Sequence, residues 1–274
     1  MKISADFYKT TDGIQGGVQS KNEIYKKIDP SFETFSYSDA CRGLNQPFVP
    51  LEQLRFREWE ANYVLQRYID LIEKVQPEEL DLIIYNAICG GYIKHKTRTI
   101  SVLNDNYVEM SDRLYAGNYL DLNNYKMFRR MYLKLQLDSC KNADLVAAES
   151  QTDADYYKTY GIESTVIENG VDHNFWTALP DKAGIKAKYN IPEDKKVGIF
   201  VGAFTPIKGY HIYHDMIMKN PDMHWLMVLK HPIDQNVKSD NVSVACQVDP
   251  DLLKELYSAS DFFGRRVYGR AVII

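Results

Sequence analysis

Short apolar runs bounded by glycine, proline or Asx residues alternate along this chain with longer stretches whose apolar positions recur every three or four residues. The first pattern reads as buried strands and the second as amphipathic helices. Residues 2–8 alternate and open the chain as a strand. A loop bearing Gly13, Gly16 and Gly17 follows, then a helix over 19–28 that Asp29-Pro30 stops. Residues 31–50 show no period and read as irregular, with Pro47 and Pro50 bracketing a turn. Residues 51–76 read as one long helix, because Leu54, Trp59, Tyr63, Leu65, Ile69, Ile72 and Val75 fall mostly on one face. Pro77 ends it.

Residues 80–85 and 99–103 are strands, separated by a turn at Cys89-Gly90-Gly91. Residues 125–142 form a helix and 143–148 a strand ending at Glu149-Ser150. Thr152 or Asp153 caps the next helix, which runs to Tyr160 and is stopped by Gly161. Residues 164–167 are a further strand. A polar, lysine-rich connection with Pro180 and Pro192 occupies 177–196 and is expected to separate an N-terminal domain, 1–176, from a second one, 197–274. That second part repeats the alternation: an apolar run over 197–201 closed by Gly202, a loop marked by Pro206, and a helix over 209–220. Strands at 225–229 and 242–246, a helix at 251–258 and a strand starting at Asp261 follow; residues 264–274 fit no pattern. Strands alternating with helices imply an α/β fold of two mainly parallel sheets with helices on both faces.

Three stretches carry candidate chemistry. Between Gly202 and Lys208-Gly209 a strand turns through a loop into a helix. Free N–H groups at such a helix start favour an anion, and a lysine beside them supplies a mobile positive charge, so the corner suits a phosphate or diphosphate. A surface turn with a solvated lysine explains the same residues as well. Gly16-Gly17 allows close backbone approach to a ligand, or is simply a turn. Asn104-Asp105-Asn106 lies just past a strand, where open α/β sheets place ligands, though an Asx turn accounts for it too. His211 and His214 have a metal-compatible spacing but no evident third ligand, and read as a solvated helix face.

Composition narrows the classes. A net charge of −4 and twenty scattered tyrosines give no basic stripe for nucleic acid. Four cysteines without a CxxC pair point to reduced thiols in a cytoplasmic protein rather than a zinc site or a disulfide framework. No apolar run approaches the roughly 20 residues of a membrane span, and the N-terminus lacks a signal-peptide stretch.

Taken in order, Gly16-Gly17-Val18, residues 143–150 (ADLVAAES), residues 166–175 (VIENGVDHNF), Val201-Gly202 with Lys208-Gly209, and residues 251–261 (DLLKELYSASD) resemble the group-1 family of retaining glycosyltransferases. The resemblance runs from about residue 2 to residue 263. It implies the GT-B architecture, two Rossmann-like domains, the second incomplete here. It also implies a nucleotide-sugar donor, with Lys208 and Gly209 beside Gly202 at its diphosphate and Gly16-Gly17 approaching the same phosphates. Asn104 and Asp105 stand toward the donor sugar as the catalytic candidates. The acceptor is implied to be a glycan, a lipid-linked sugar or a small molecule. Neither metal nor cofactor is expected, and peripheral contact with a membrane is compatible with the family. Departures are Ala203 where the family commonly has arginine, Asn104-Asp105 where it often has histidine, and no match after Asp261 to a pair of glutamates. The chain therefore reads as a C-terminally truncated member, with a catalytically impaired sugar-nucleotide-binding or interaction protein as the alternative.

Overall fold

A computed structural model describes residues 1–7, 17–54, 57–104, 106–202, 208–229, 239–267 and 270–273. The chain divides into two units, Met1–Gly170 and Val171–Ile274.

In the first unit six strands, β1 (Lys2–Ala5), β2 (Phe32–Phe35), β3 (Leu82–Asn86), β4 (Thr99–Leu103), β5 (Leu145–Ala148) and β6 (Thr165–Val166), form one sheet in the order β2-β1-β3-β4-β5-β6. Every pairing is parallel. The strand order reverses direction between β1 and β3, which opens a crevice at their carboxyl ends. Crossovers run through α1 (Gly17–Ile28), α2 (Tyr37–Gly43), α3 (Glu58–Val75), α4 (Tyr107–Ala116), α5 (Leu122–Lys141) and α6 (Gln151–Lys158). Both sheet faces are covered, as a parallel sheet requires. Ile3, Ala5, Ile83 and Tyr85 pack with Leu65 and Ile69 of α3 on one side, and Ile84, Val102 and Ala147 pack near Tyr25 of α1 on the other.

Residues 31–50, expected to be irregular, hold β2 and α2. Four and seven residues are too few for a period to emerge, and α2 is fixed by a local capping box between Ser36 and Asp39. The long helix expected over 51–76 is a 3₁₀ turn, Leu51–Leu54, followed by α3. The β3–β4 connection has no helix of its own. Buried Asn62 on α3 donates to the carbonyls of Ile88 (3.0 Å) and Gly90 (3.1 Å) and accepts from the Gly90 amide (2.9 Å). Gln66 accepts from the amides of Tyr92 (2.7 Å) and Ile93 (2.9 Å). At Gly91, with φ of 91°, a Cβ would lie 1.8 Å from the Asp138 carbonyl oxygen, so this loop seats directly on α5.

The second unit has β7 (Val197–Gly202), β8 (His224–Leu229), β9 (Val242–Cys246), β10 (Phe262–Val267) and β11 (Arg270–Ile273), ordered β11-β10-β7-β8-β9. Only the β10–β11 pair is antiparallel among the described pairings. Its helices are α7 (Lys182–Lys188), α8 (Tyr210–Lys219) and α9 (Pro250–Ala259). Residues 177–196, expected as a connection, contain α7, and Ile185 and Ile191 join Val197, Ile199, Val228 and Leu256 in the unit's core. Asp261 ties the two ends of this unit together, accepting from Lys182 Nζ (2.8 Å) and from the Val197 amide (2.8 Å). The tail beyond residue 263, where no pattern was expected, pairs with itself as β10 and β11. Both units are thus α/β with mainly parallel sheets, as the sequence predicts.

Candidate functional site

At the carboxyl edge of the first sheet, side chains on or just past four strands, β1, β3, β4 and β5, meet those of one helix, α1. Asn104, one residue past β4, accepts from the Ala87 amide through Oδ1 (3.0 Å) and donates through Nδ2 to Glu149 Oε1 (3.1 Å). Glu149, one residue past β5, also pairs with Lys21 of α1 at 2.7 Å. Both charged side chains are largely buried, 12% exposed for Lys21 and 17% for Glu149. On the same side of the sheet Ser4 donates to Asn22 Oδ1 (2.6 Å), and Asn86 Nδ2 donates to Ser4 Oγ (3.0 Å) and to the Ala5 carbonyl (3.1 Å). Two atoms of this cluster, Asn22 Nδ2 and Asn86 Oδ1, are buried without a hydrogen-bond partner. Ala87 holds a positive φ of 57° there, a left-handed conformation rare for alanine. Burial, reinforced by the Glu149 charge, raises the pKa of Tyr25 on α1. Ser150 rather than Thr152 or Asp153 caps α6, accepting from the Asp153 amide (3.1 Å), and burial raises the Asp153 carboxyl's pKa.

In the second unit the strand–helix corner is built from Gly202, Lys208 and Gly209. Gly209 caps α8 with φ 78° and ψ 25°, a conformation that costs other residues strain. A Cβ at Gly202 would lie 3.8 Å from Lys208 Cγ, so the lysine stem lies next to a strand end that carries no side chain. Lys208 is exposed and makes no ion pair among the described residues. The first amides of α8 are left open by helix geometry, and the helix dipole adds positive potential at the same point.

Gly17 is the first residue of α1, whereas Gly16 and Asp105 lie outside the described residues. The structure brings Asn104 and the first turns of α1 together through Glu149 and Lys21. It groups Gly202, Lys208 and Gly209 separately in the second unit. Glu149, Lys21, Asn22 and Asn86 were not singled out from sequence. A Glu-Ser pair closing an apolar strand was the one available signal for Glu149.

A second polar group lies between α3 and the β3–β4 connection. His95 contacts Glu73 Oε2 through Nδ1 (3.2 Å) and Tyr85 Oη through Nε2 (2.8 Å), and Glu73 Oε1 accepts from the Thr97 amide (2.6 Å). Asp70 completes a trio with metal-compatible spacing, but it pairs with Lys74 at 2.6 Å. With its atoms so engaged, the trio acts as a structural pin. His214 lies in α8.

No family model and no curated protein matches the sequence. Solved structures do match. Sucrose-phosphate synthase from Thermosynechococcus elongatus superposes with a TM-score of 0.72 at 15% identity, over 96% of this chain and 75% of that one. WaaG, a glycosyltransferase involved in lipopolysaccharide biosynthesis, gives 0.69 at 14% identity over 97% and 75%. Anabaena HepE in complex with UDP-glucose gives 0.61 at 16% identity over 95% and 72%. The chain has the GT-B fold. Both units take part in the match, and the chain spans about three quarters of the length of these GT-B proteins. Among the described residues, no helix of this GT-B chain is long and apolar enough to cross a membrane.

Proposed function

We propose that this protein is a glycosyltransferase that moves a sugar from a nucleotide-sugar donor to an acceptor hydroxyl with retention of anomeric configuration. The observation that carries this reading is the β7–α8 corner: an exposed lysine without an ion partner among the described residues, beside a bare strand end and a helix opened by a left-handed glycine. Breaking the bond between the anomeric carbon and the diphosphate oxygen leaves the bonding electron pair, and negative charge, on phosphate. Lys208 and the open amides of α8 are donors of the kind that stabilise that charge. In this reading the charge is met without a divalent cation.

Asn104 has one Nδ2 hydrogen committed to Glu149 and, among the described residues, a second one without an acceptor that can meet a sugar hydroxyl. It cannot act as a charged group, so Asp105 is the first candidate for one. The acceptor class is a glycan, a lipid-linked sugar or a small hydroxyl compound. The complex of HepE with UDP-glucose makes that nucleotide sugar the first donor to try. One residue favours a second reading: Ala203 stands where the resembled family commonly has arginine, which suits a sugar-nucleotide binder without turnover.

The test is a labelled-donor assay over a panel of nucleotide sugars and acceptors, run with chelator, with the product's anomeric configuration read by NMR. Transfer with retention is expected. Donor binding by calorimetry without transfer supports the second reading, and neither binding nor transfer rejects both.

A further inference from the structure

The polar corner of the first sheet holds one side-chain amide in a single orientation. A terminal amide turned end for end exchanges oxygen and nitrogen with almost no change of shape, so its hydrogen-bond partners alone decide which end points where. Asn104 has two such partners. Its Oδ1 accepts from the Ala87 amide at 3.0 Å, and its Nδ2 donates to Glu149 Oε1 at 3.1 Å. In the turned amide, Nδ2 would face the Ala87 N–H and Oδ1 would face the carboxylate. Both bonds would become repulsions.

The two partners are unequal. The Ala87 N–H also donates to the Val102 carbonyl (2.9 Å), a bond that it keeps whichever way Asn104 lies. Glu149 is therefore the contact that discriminates. An ionised carboxylate accepts and never donates, so it cannot adapt to a turned amide as a glutamine would. Lys21 Nζ reaches the same oxygen, Oε1, at 2.7 Å, and the pair is largely buried. A run of contacts thus leads from α1 through the end of β5 to the end of β4, and stops at Asn104, which is itself only half-buried.

We infer that Glu149, held by Lys21, is a positioning residue: it turns Asn104 so that the remaining Nδ2 hydrogen, rather than Oδ1, meets a hydroxyl oxygen of the donor sugar. This rests on the donor-sugar role proposed above for Asn104. It adds that recognition of that hydroxyl is set by a residue 45 positions further along the chain, acting through the amide. A pair that merely ties α1 to the sheet would contribute to folding and leave the sugar's share of binding untouched.

Lys21→Met with Glu149→Leu separates the two roles. Apolar side chains of similar size replace a buried pair at little cost, so urea unfolding stays close to the parent's while Asn104 loses the contact that turns it. Calorimetry with UDP and with UDP-glucose, the first donor to try, gives the sugar's share of binding as the ratio of the two affinities. That ratio is expected to fall about fivefold in the double variant, the weight of one ordinary hydrogen bond, with UDP affinity unchanged. Asn104→Ala lowers it by a similar factor, and adding Asn104→Ala to the double variant lowers it no further, because the pair acts through that amide. Glu149→Gln, which keeps the shape but can itself turn, lowers the ratio by a smaller factor. Glu73→Gln, which loosens the first unit at the Glu73–His95 contact instead, leaves it as in the parent. A ratio unchanged in every Glu149 variant that folds overturns the inference and leaves the donor reading standing. So does a loss that adds to that of Asn104→Ala, or an equal loss in Glu73→Gln. A parent-like ratio in Asn104→Ala removes Asn104 from the sugar site and the inference with it, and a parent that binds neither ligand rejects the donor reading itself along with the inference.

Discussion

The two polar corners of this molecule solve opposite problems. At the carboxyl edge of the first sheet the lysine is consumed: Lys21 is buried against Glu149, which in turn holds Asn104, which holds the Ala87 amide. At the end of β7 the lysine is left over, since Lys208 is exposed beside Gly202 with no carboxylate on it among the described residues. A paired, desolvated cation contributes rigidity and offers a ligand little charge. An exposed, unpaired one contributes little to folding and keeps its charge for an incoming anion. The difference suits the first corner to holding polar groups in place and leaves the second with a charge free for the anion proposed above.

The largest effect is expected from breaking the consumed pair. Glu149→Ala leaves Lys21 buried without a partner and Asn104 without its acceptor, and should destabilise the first unit by about 3 kcal/mol or more in urea unfolding. Lys21→Met with Glu149→Leu should recover most of that loss. A loss no greater than that of a surface substitution would show the pair to be already solvated. Next comes the free lysine. Lys208→Ala should weaken nucleoside diphosphate binding by about 1.5–3 kcal/mol and leave nucleoside binding and unfolding free energy unchanged. Calorimetry with both ligands decides it, and equal diphosphate affinity would remove Lys208 from the site.

The smallest effect sharpens the comparison within the first unit. Burial holds the His95 imidazole below its usual pKa, against the opposing pull of the Glu73 carboxylate. The folded state therefore keeps His95 neutral while the unfolded chain takes a proton near pH 6.5. Stability from this group is present above that pH and declines as pH falls below it, by at most about 1.4 kcal/mol per unit. His224 in the second unit is lowered too, by burial and by Lys186 and Lys195, and acts in the same direction. Unfolding measured between pH 5 and 8 should show His95→Gln removing part of the slope and leaving the rest. An unchanged slope would mean that His95 does not carry it.

What sequence reasoning reached follows from how local each feature is. β4 and β9 fall at the predicted residues because each is a short apolar run closed by polar residues. The Lys208-Gly209 corner is legible because strand end, glycine and lysine lie within eight residues of one another. α4 went unread: its cap, Asn106, belongs to the Asn-Asp-Asn cluster that also reads as an Asx turn, and only Val108 and Ser111 of the helix are buried. The Lys21–Glu149 pair was out of reach for another reason. Its members stand 128 residues apart and meet only after β1 and β5 take their places in a parallel sheet. The Glu73–His95 pin likewise joins a helix face to a connection without a period of its own.

Asn62 and Gln66 give that connection a property that its irregular backbone conceals. The amides of Gly90, Tyr92 and Ile93 are bonded to side chains of α3 rather than to a neighbouring strand. They exchange hydrogen with water only when α3 lifts away, so their exchange rates report the opening of a helix to which they do not belong. In a hydrogen–deuterium experiment residues 90–93 would therefore group with α3 as one cooperative unit, although by secondary structure they are a loop.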